Sequence, residues 1–184
     1  MPVEQRESQL IARACQGDKE AYGDLYELYL DEIYRYIFYR VSNEADAEDL
    51  TEQVFLKAWE NLSSYRGDVP LKAWLYRIAR NTTVDHYRTR KQSIPLDENM
   101  SLVDRKDQPE EKALTQETAL RLNGAISKLS PLHQDVIILR FVNGHSTEEI
   151  AQILERSTGA VRVLQHRALK AIQVFLMAED IVHD

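Results

Sequence analysis

The sequence predicts an all-α protein of two small helical domains joined by a flexible acidic connector, and three observations carry that reading. Its 184 residues include only six glycines and five prolines, so helix breakers are scarce. Apolar residues recur at three- and four-residue intervals through most of the chain, the spacing of amphipathic helices. Residues 92–111 lack that periodicity and carry two prolines and six acids, which marks a linker. Domains are therefore expected at 1–91 and 112–184, with no internal repeat.

Four helices are expected upstream of the linker: 8–15, 19–41 (rich in Tyr and Leu), 44–62 and 70–91. Downstream they are expected at 111–127, at 131–142 after the Ser130-Pro131 start, and as a final pair from 146 to 172. Within 44–62, Thr51, Val54, Phe55, Ala58 and Leu62 share one face and should be core. A different face carries Asp49, Glu52, Gln53, Leu56, Trp59 and Glu60. Acids beside a large aromatic suit a protein contact, in which the ring supplies area and the charges set register; equally, Trp59 could pack on a neighbouring helix.

From Tyr65 to Lys91 arginines alternate with aromatics. Leu71, Trp74, Leu75, Ile78 and Thr82 form the inner side of this helix. Ala73, Tyr76, Arg77, Arg80, Val84, Tyr87 and Arg88 are assigned to the outer side. Arginines neutralise phosphates and exposed rings stack on unpaired bases, so the pattern suits single-stranded DNA, with the loop 63–69 able to receive an extracted base. The competing reading makes the tyrosines core residues and the arginines solvated.

The final pair reads as a helix-turn-helix. Ser146 with Glu149 three residues later is a capping box, and Ser157 offers a second N-cap. Val161, Leu164, Ala168, Leu169 and Ile172 are assigned to the buried face of the second helix. At about 100° per residue, Gly159, Arg162, Val163, His166, Arg167 and Lys170 fall on the opposite face, and Gln165 near the buried edge. A basic face of this size fits a major groove, although an ordinary helical hairpin with a solvated basic face has the same pattern.

The net charge of −7 conceals a division along the chain. Residues 1–61 sum to −8, residues 62–92 to +5, residues 93–111 to −4, residues 112–155 to −1 and residues 156–184 to +1. Local basic stripes on an acidic protein imply weak DNA binding by the chain alone. The single cysteine, Cys15, excludes an internal disulfide, disfavours a cysteine-based zinc site and is expected to be a small buried residue. No apolar run approaches a membrane span and no signal-peptide pattern precedes the first helix, so a cytoplasmic protein without membrane insertion is expected. The five histidines are scattered, and no phosphate-binding glycine loop or serine elbow occurs, which argues against an enzyme.

Three segments together resemble the extracytoplasmic-function (ECF) sigma factors, the group IV members of the main bacterial sigma family. They are Asp46-Ala-Glu-Asp-Leu-Thr-Glu-Gln-Val-Phe-Leu-Lys-Ala-Trp59, the stretch Tyr65-Arg-Gly-Asp through Trp74-Leu-Tyr-Arg-Ile-Ala-Arg-Asn81, and Val136-Ile-Ile-Leu-Arg-Phe141 leading into the helix-turn-helix. The resemblance implies sigma domain 2 over 1–91, sigma domain 4 over 112–184, and a connector threading the RNA-exit region of polymerase. It implies core RNA polymerase as partner, through the β′ clamp helices and β flap, with Asp49, Glu52, Gln53, Leu56 and Trp59 at the clamp. It assigns the melted −10 element to Tyr65, Arg66, Asp68, Lys72, Arg77, Arg80, Asn81, Val84, Tyr87 and Arg88. The duplex −35 element falls to Thr158, Arg162, Val163, His166, Arg167 and Lys170. An anti-sigma factor is the further implied partner; no cofactor or metal is implied. Two positions depart from the common pattern: Glu52-Gln53 stands where many relatives have Gln-Glu, and Val163 where Ser is frequent, so base reading there would be by apolar contact. A helix-turn-helix regulator acting without polymerase is the rival reading.

Overall fold

Residues 3–93 and 121–182 are described in the structure, a computed structural model, and form two helical lobes. The first lobe contains α1 (Val3–Cys15), α2 (Lys19–Val41), α3 (Glu44–Asn61), a 3₁₀ turn (Leu62–Ser64) and α4 (Leu71–Ser93). The second contains α5 (described over 121–127), α6 (Pro131–Ile137) running into a π turn (Ile138–Val142), α7 (Thr147–Leu154) and α8 (Thr158–Val182). From residue 94 the expected connector lies outside the described residues, as does the expected helix from 111 up to 120.

Side-chain caps set the ends of the helices. Asp18 accepts from the N–H groups of Glu20 and Ala21 at the start of α2, and Asn43 accepts from Asp46 N–H at the start of α3. Between them Ser42 adopts a left-handed conformation with φ 53°, and its N–H closes α2 on the Phe38 carbonyl. In the second lobe the Ser146–Glu149 capping box is formed in both directions, at 2.8 and 3.1 Å. Ser157 caps α8 through Ala160 N–H at 3.1 Å.

The apolar faces meet in one continuous core. Ile33, Ile37, Val54, Phe55, Ala58 and Leu75 pack the first lobe, and Val136, Ile138, Leu139, Ile150, Val161 and Ala168 the second. Thr51, Val54, Phe55, Ala58 and Leu62 are all buried, as their spacing requires. Cys15 is only half-buried. Leu169, assigned above to the core side of α8, is 42 % exposed, because α8 turns its inner stripe through Val161, Leu164, Ala168 and Ile172.

The larger departure concerns α4. Ala73 and Tyr76, placed on the solvent side by helical spacing, are 5 % and 0 % exposed, because the second lobe packs on that side. A helix between two partners has two inner faces, and one-dimensional spacing reveals only the more apolar. Tyr76 meets the His145 ring edge-on at 4.8 Å and accepts from Asn143 Nδ2 at 2.9 Å. The π turn and Gly144, at φ 76°, reverse the chain so that Asn143 and His145 enter this seam.

The seam is centred on Asp135. Its carboxylate is 1 % exposed, lies 3.2 Å from Arg40 Nε and 2.8 Å from Arg80 Nε, and accepts from the Tyr36 hydroxyl at 2.8 Å. The Arg40 approach is ionic rather than an aligned hydrogen bond, since Arg40 Nε has no hydrogen-bond partner. Arg40 Nη1 donates instead to Gln134 Oε1. Burial holds the Tyr36 phenol well above its usual pKa, so it remains a donor. Asn123 to Ser42, at 3.1 Å, and Asn143 to the Glu32 carbonyl, at 2.9 Å, add neutral links.

Ser146→Ala is expected to destabilise the protein by about 1 kcal/mol in urea denaturation, the usual worth of an N-cap. His145 is kept neutral by burial, reinforced by the nearby Lys72 charge and opposed by Glu149 and Glu32, so its pKa lies below 6.5. The unfolded chain therefore takes up this proton first as pH falls. Stability from His145 is complete above about pH 6.5 and is lost below it, and His145→Gln should flatten that part of a denaturation-versus-pH profile.

Candidate nucleic-acid and polymerase interfaces

On α8 the residues expected to face outward do so. Arg162, Val163, His166, Arg167 and Lys170 are exposed, Gln165 and Thr158 are half-buried, and Val163 presents 48 % of its surface. Among the described residues no ion pair engages Arg162, Arg167 or Lys170. The turn before α8 is made by Glu155 at φ 55°, with Arg156 N–H donating to the Ala151 carbonyl at 3.0 Å. The result is a helix held by its inner stripe and offering cations with an apolar centre outward, the chemistry of major-groove reading.

The residues assigned to melted DNA divide into two groups. Arg66, Asp68, Asn81, Val84 and Arg88 are exposed; Arg88 pairs with Asp85 of its own helix, at 3.2 Å. The others are engaged within the protein. Lys72 binds Glu32 at 2.9 Å, and Tyr87 donates to the Arg40 carbonyl. Tyr65 donates to the Val69 carbonyl at 2.6 Å and packs its ring 5.4 Å from Trp74. Arg77 donates to the Gln152 carbonyl at 2.6 Å and pairs with Glu155 at 3.2 Å, while Arg80 is held by Asp135.

Beside the exposed group lies a groove of about 320 Å³ lined by Lys57, Asn61, Ser64, Trp74, Ile78, Asn81 and Thr82. It has an aromatic wall, Trp74, and polar groups at its rim. Lys57 Nζ reaches Thr82 Oγ1 at 3.1 Å and thereby joins α3 to α4. Lys57 and Asn61 were given no role in the sequence, and Ser64 only as part of the loop 63–69. The available signal was the four-residue step from Lys57 to Asn61 on the side of α3 toward α4, visible only once the two helices are known to be adjacent.

On α3, Asp49, Glu52, Gln53 and Glu60 are exposed and Leu56 is 58 % exposed. Trp59 is shared between both readings: it is half-buried, with its ring 4.9 Å from Tyr22, and keeps an open edge. That arrangement is a rigid aromatic flanked by acids on a fixed helix. Among the described residues no cluster of His, Cys, Asp and Glu could hold a metal ion, and no helix is long and apolar enough to cross a membrane.

A basic helix-turn-helix on one lobe, with a groove and an acidic, apolar helix face on the other, is the combination of surfaces found on two-lobed transcription factors. The Sigma-70 region 2 family matches residues 25–93 and the Sigma-70 region 4 family residues 125–173. The chain is 35 % identical over 171 residues to the ECF RNA polymerase sigma factor BldN of Streptomyces coelicolor, covering 91 % of this chain and 64 % of BldN. It is 36 % identical over 153 residues to the RNA polymerase sigma factor YlaC of Bacillus subtilis, covering 82 % and 88 %. Among solved structures, CnrH in complex with the cytosolic domain of CnrY aligns with a TM-score of 0.73 at 27 % identity, covering 94 % of this chain and 98 % of CnrH. The sigma factor RpoE of Bartonella quintana shares the fold at 24 % identity and a TM-score of 0.67, covering 85 % and 96 %. The chain belongs to the ECF RNA polymerase sigma factors, which are transcription initiation factors and not enzymes.

Arg162→Ala should remove about 1–3 kcal/mol of base discrimination from duplex DNA selected by this protein with polymerase, with an unchanged circular dichroism spectrum. An unaltered sequence preference would remove Arg162 from the reading face.

Proposed function

We propose that this protein is an alternative sigma factor that docks on core RNA polymerase through α3 and holds a promoter at two separate places. The observation that carries this reading is the simultaneous exposure of three chemically distinct surfaces: the Asp49–Trp59 face of α3, the groove around Asn81, and the Arg162–Lys170 face of α8. In this reading the β′ clamp helices meet Asp49, Glu52, Gln53, Leu56 and Trp59. The exposed anchors supply buried area, and the acids set orientation and association rate.

The single-stranded −10 element lies along α4. Arg66, Arg88 and, when free, Lys72, Arg77 and Arg80 neutralise its phosphates. Tyr65, Val84 and Tyr87 add stacking and apolar contact, and Asp68 borders the loop. One base enters the groove between Trp74 and Asn81, with Lys57 and Ser64 as hydrogen-bond donors. Unpairing that base costs a few kcal/mol, offset by stacking and by the contacts its edge gains. The duplex −35 element lies against α8, where Arg162, His166 and Arg167 face the bases, Val163 meets a thymine methyl, and Thr158 and Lys170 meet phosphates.

The β flap of polymerase contacts the second lobe in this reading. The protein acts in the cytoplasm, where polymerase is. A regulatory anti-sigma partner belongs to the same reading, supported by CnrH, which is similar over both lobes and was solved with the cytosolic domain of CnrY.

Run-off transcription separates this function from that of a helix-turn-helix regulator acting on duplex DNA alone. Core polymerase with this protein should initiate at defined promoters that core alone ignores; duplex binding without any effect on initiation would sink the proposal. Asp49→Arg combined with Leu56→Asp should abolish co-purification with core polymerase while leaving the melting temperature within a few degrees of the parent. Retained co-purification would remove α3 as the docking face.

A further inference from the structure

We propose that His145 makes the joint between the lobes acid-sensitive: when its buried ring takes up a proton, the lobes part while each stays folded. The inference rests on the packing of the lobes and on no assignment of a face to DNA or polymerase. His145 is 2 % exposed, and its ring stands edge-on to Tyr76 of α4 at 4.8 Å. Its backbone is tied on both sides, the N–H donating to the Leu139 carbonyl at 2.9 Å and the carbonyl accepting from Arg140 Nη1 at 2.8 Å. With the backbone held and Tyr76 against the ring, hydration of the imidazole requires α4 to withdraw.

The surroundings suit a neutral imidazole and not an imidazolium. Nε2 has no hydrogen-bond partner, and Nδ1 lies 3.7 Å from the Glu149 carboxylate, beyond hydrogen-bond reach. Around the ring, α2 brings Glu32, α4 brings Lys72 and Tyr76, the π turn brings Arg140, and α7 brings Glu149. Lys72 and Glu32 pair with each other at 2.9 Å, and Glu149 accepts from the Ser146 N–H at 2.8 Å. Both carboxylates therefore already serve another donor, and a buried cation without a close partner is strongly disfavoured. Glu149 and Glu32 draw a proton toward the ring, but burial first and Lys72 second outweigh them and hold its pKa below 6.5.

A histidine ring in water takes its proton near pH 6.5, so parting of the lobes is coupled to the uptake of one proton. The ratio of parted to joined protein is constant above about pH 6.5, rises by up to tenfold per pH unit below it, and levels off once the joined form is itself protonated. Much of the remaining joint is polar: the Asp135 ion pairs, Asn123 to Ser42 at 3.1 Å, and Asn143 to the Glu32 carbonyl at 2.9 Å. Polar joints between units of one chain are the separable kind, and water hydrates their charges as they open. The spacing between the exposed faces of α3 and α8, one on each lobe, thereby responds to proton concentration.

The test uses the full-length protein alone, between about pH 7.5 and about pH 5.5, a span that brackets the ordinary histidine pKa. Its readouts are the radius of gyration in small-angle X-ray scattering and the helical signal in circular dichroism. The parent protein should enlarge at the acid end with its helical signal intact. His145→Gln puts a neutral amide in place of the ring and should keep the protein joined at both ends of the range. Lys72→Met removes a cation that opposes the proton from across the seam, so it should diminish the response to pH. A parent protein of constant size overturns the proposal, as does an enlargement that His145→Gln retains or one accompanied by loss of helix. If His145→Gln does not fold, Lys72→Met decides, and an undiminished response to pH in that variant overturns the proposal.

Discussion

Asp135 is an acid embedded in the buried run Gln134–Leu139, and its ion pairs with Arg40 from the end of α2 and Arg80 from the middle of α4 fix how the two lobes meet. A carboxylate and a guanidinium, each 1 % exposed, lose several kcal/mol of hydration apiece, and only well-placed partners offset that loss. Any sliding of the second lobe along α4 would strand one of these charges without a counterion. The apolar core favours contact in general; the charges select this one register. Tyr36, Gln134 and Arg80 complete the cluster, and the links at Ser42 and Glu32 then fall into place around it.

That register decides which surfaces remain free. α3 and α8 each bury one stripe and leave the other side open, so their acidic and basic faces survive the packing of the lobes. α4 has no such division, because α2 and α3 cover one side and α7 the other. Arg77 and Arg80 are therefore held by the second lobe, whereas Arg88 and Arg90 pair within the first, with Asp85 and Asp46. The groove around Asn81 escapes cover because it opens between α3 and α4, on the first lobe alone.

Much of the local structure was legible because it depends on nearest neighbours along the chain. The ends of α2 and α3 follow from Asp18, Ser42 and Asn43, and the start of α7 from Ser146 and Glu149, all of which act within a few residues of themselves. The outward face of α8 was equally readable, since a helix packed on one side obeys its own period. The misplacements arise where packing partners, which local spacing does not identify, set the orientation of a helix. Tyr76 and Ala73 are buried by a lobe that arrives from some fifty residues later in the sequence, and Leu169 lies just off the inner stripe that α8 turns toward its neighbours through Ala168 and Ile172.

The sequence by itself determined the all-helical class, the caps at Ser146 and Ser157, the division of charge and the resemblance to the sigma family, because periodicity, capping and motif spacing are short-range properties; it placed the start of α1 at residue 8 instead of Val3 and the end of α8 at residue 172 instead of Val182. The tertiary structure alone decided that Asp135 would neutralise Arg40 and Arg80, that Arg77 would face Gln152 and Glu155, and that Lys57, Asn61 and Asn81 would share a groove. The physical reason is that a charge far along the chain carries no mark of its partner. Pairing is set by which groups are desolvated together, and that follows from the packing of both lobes at once.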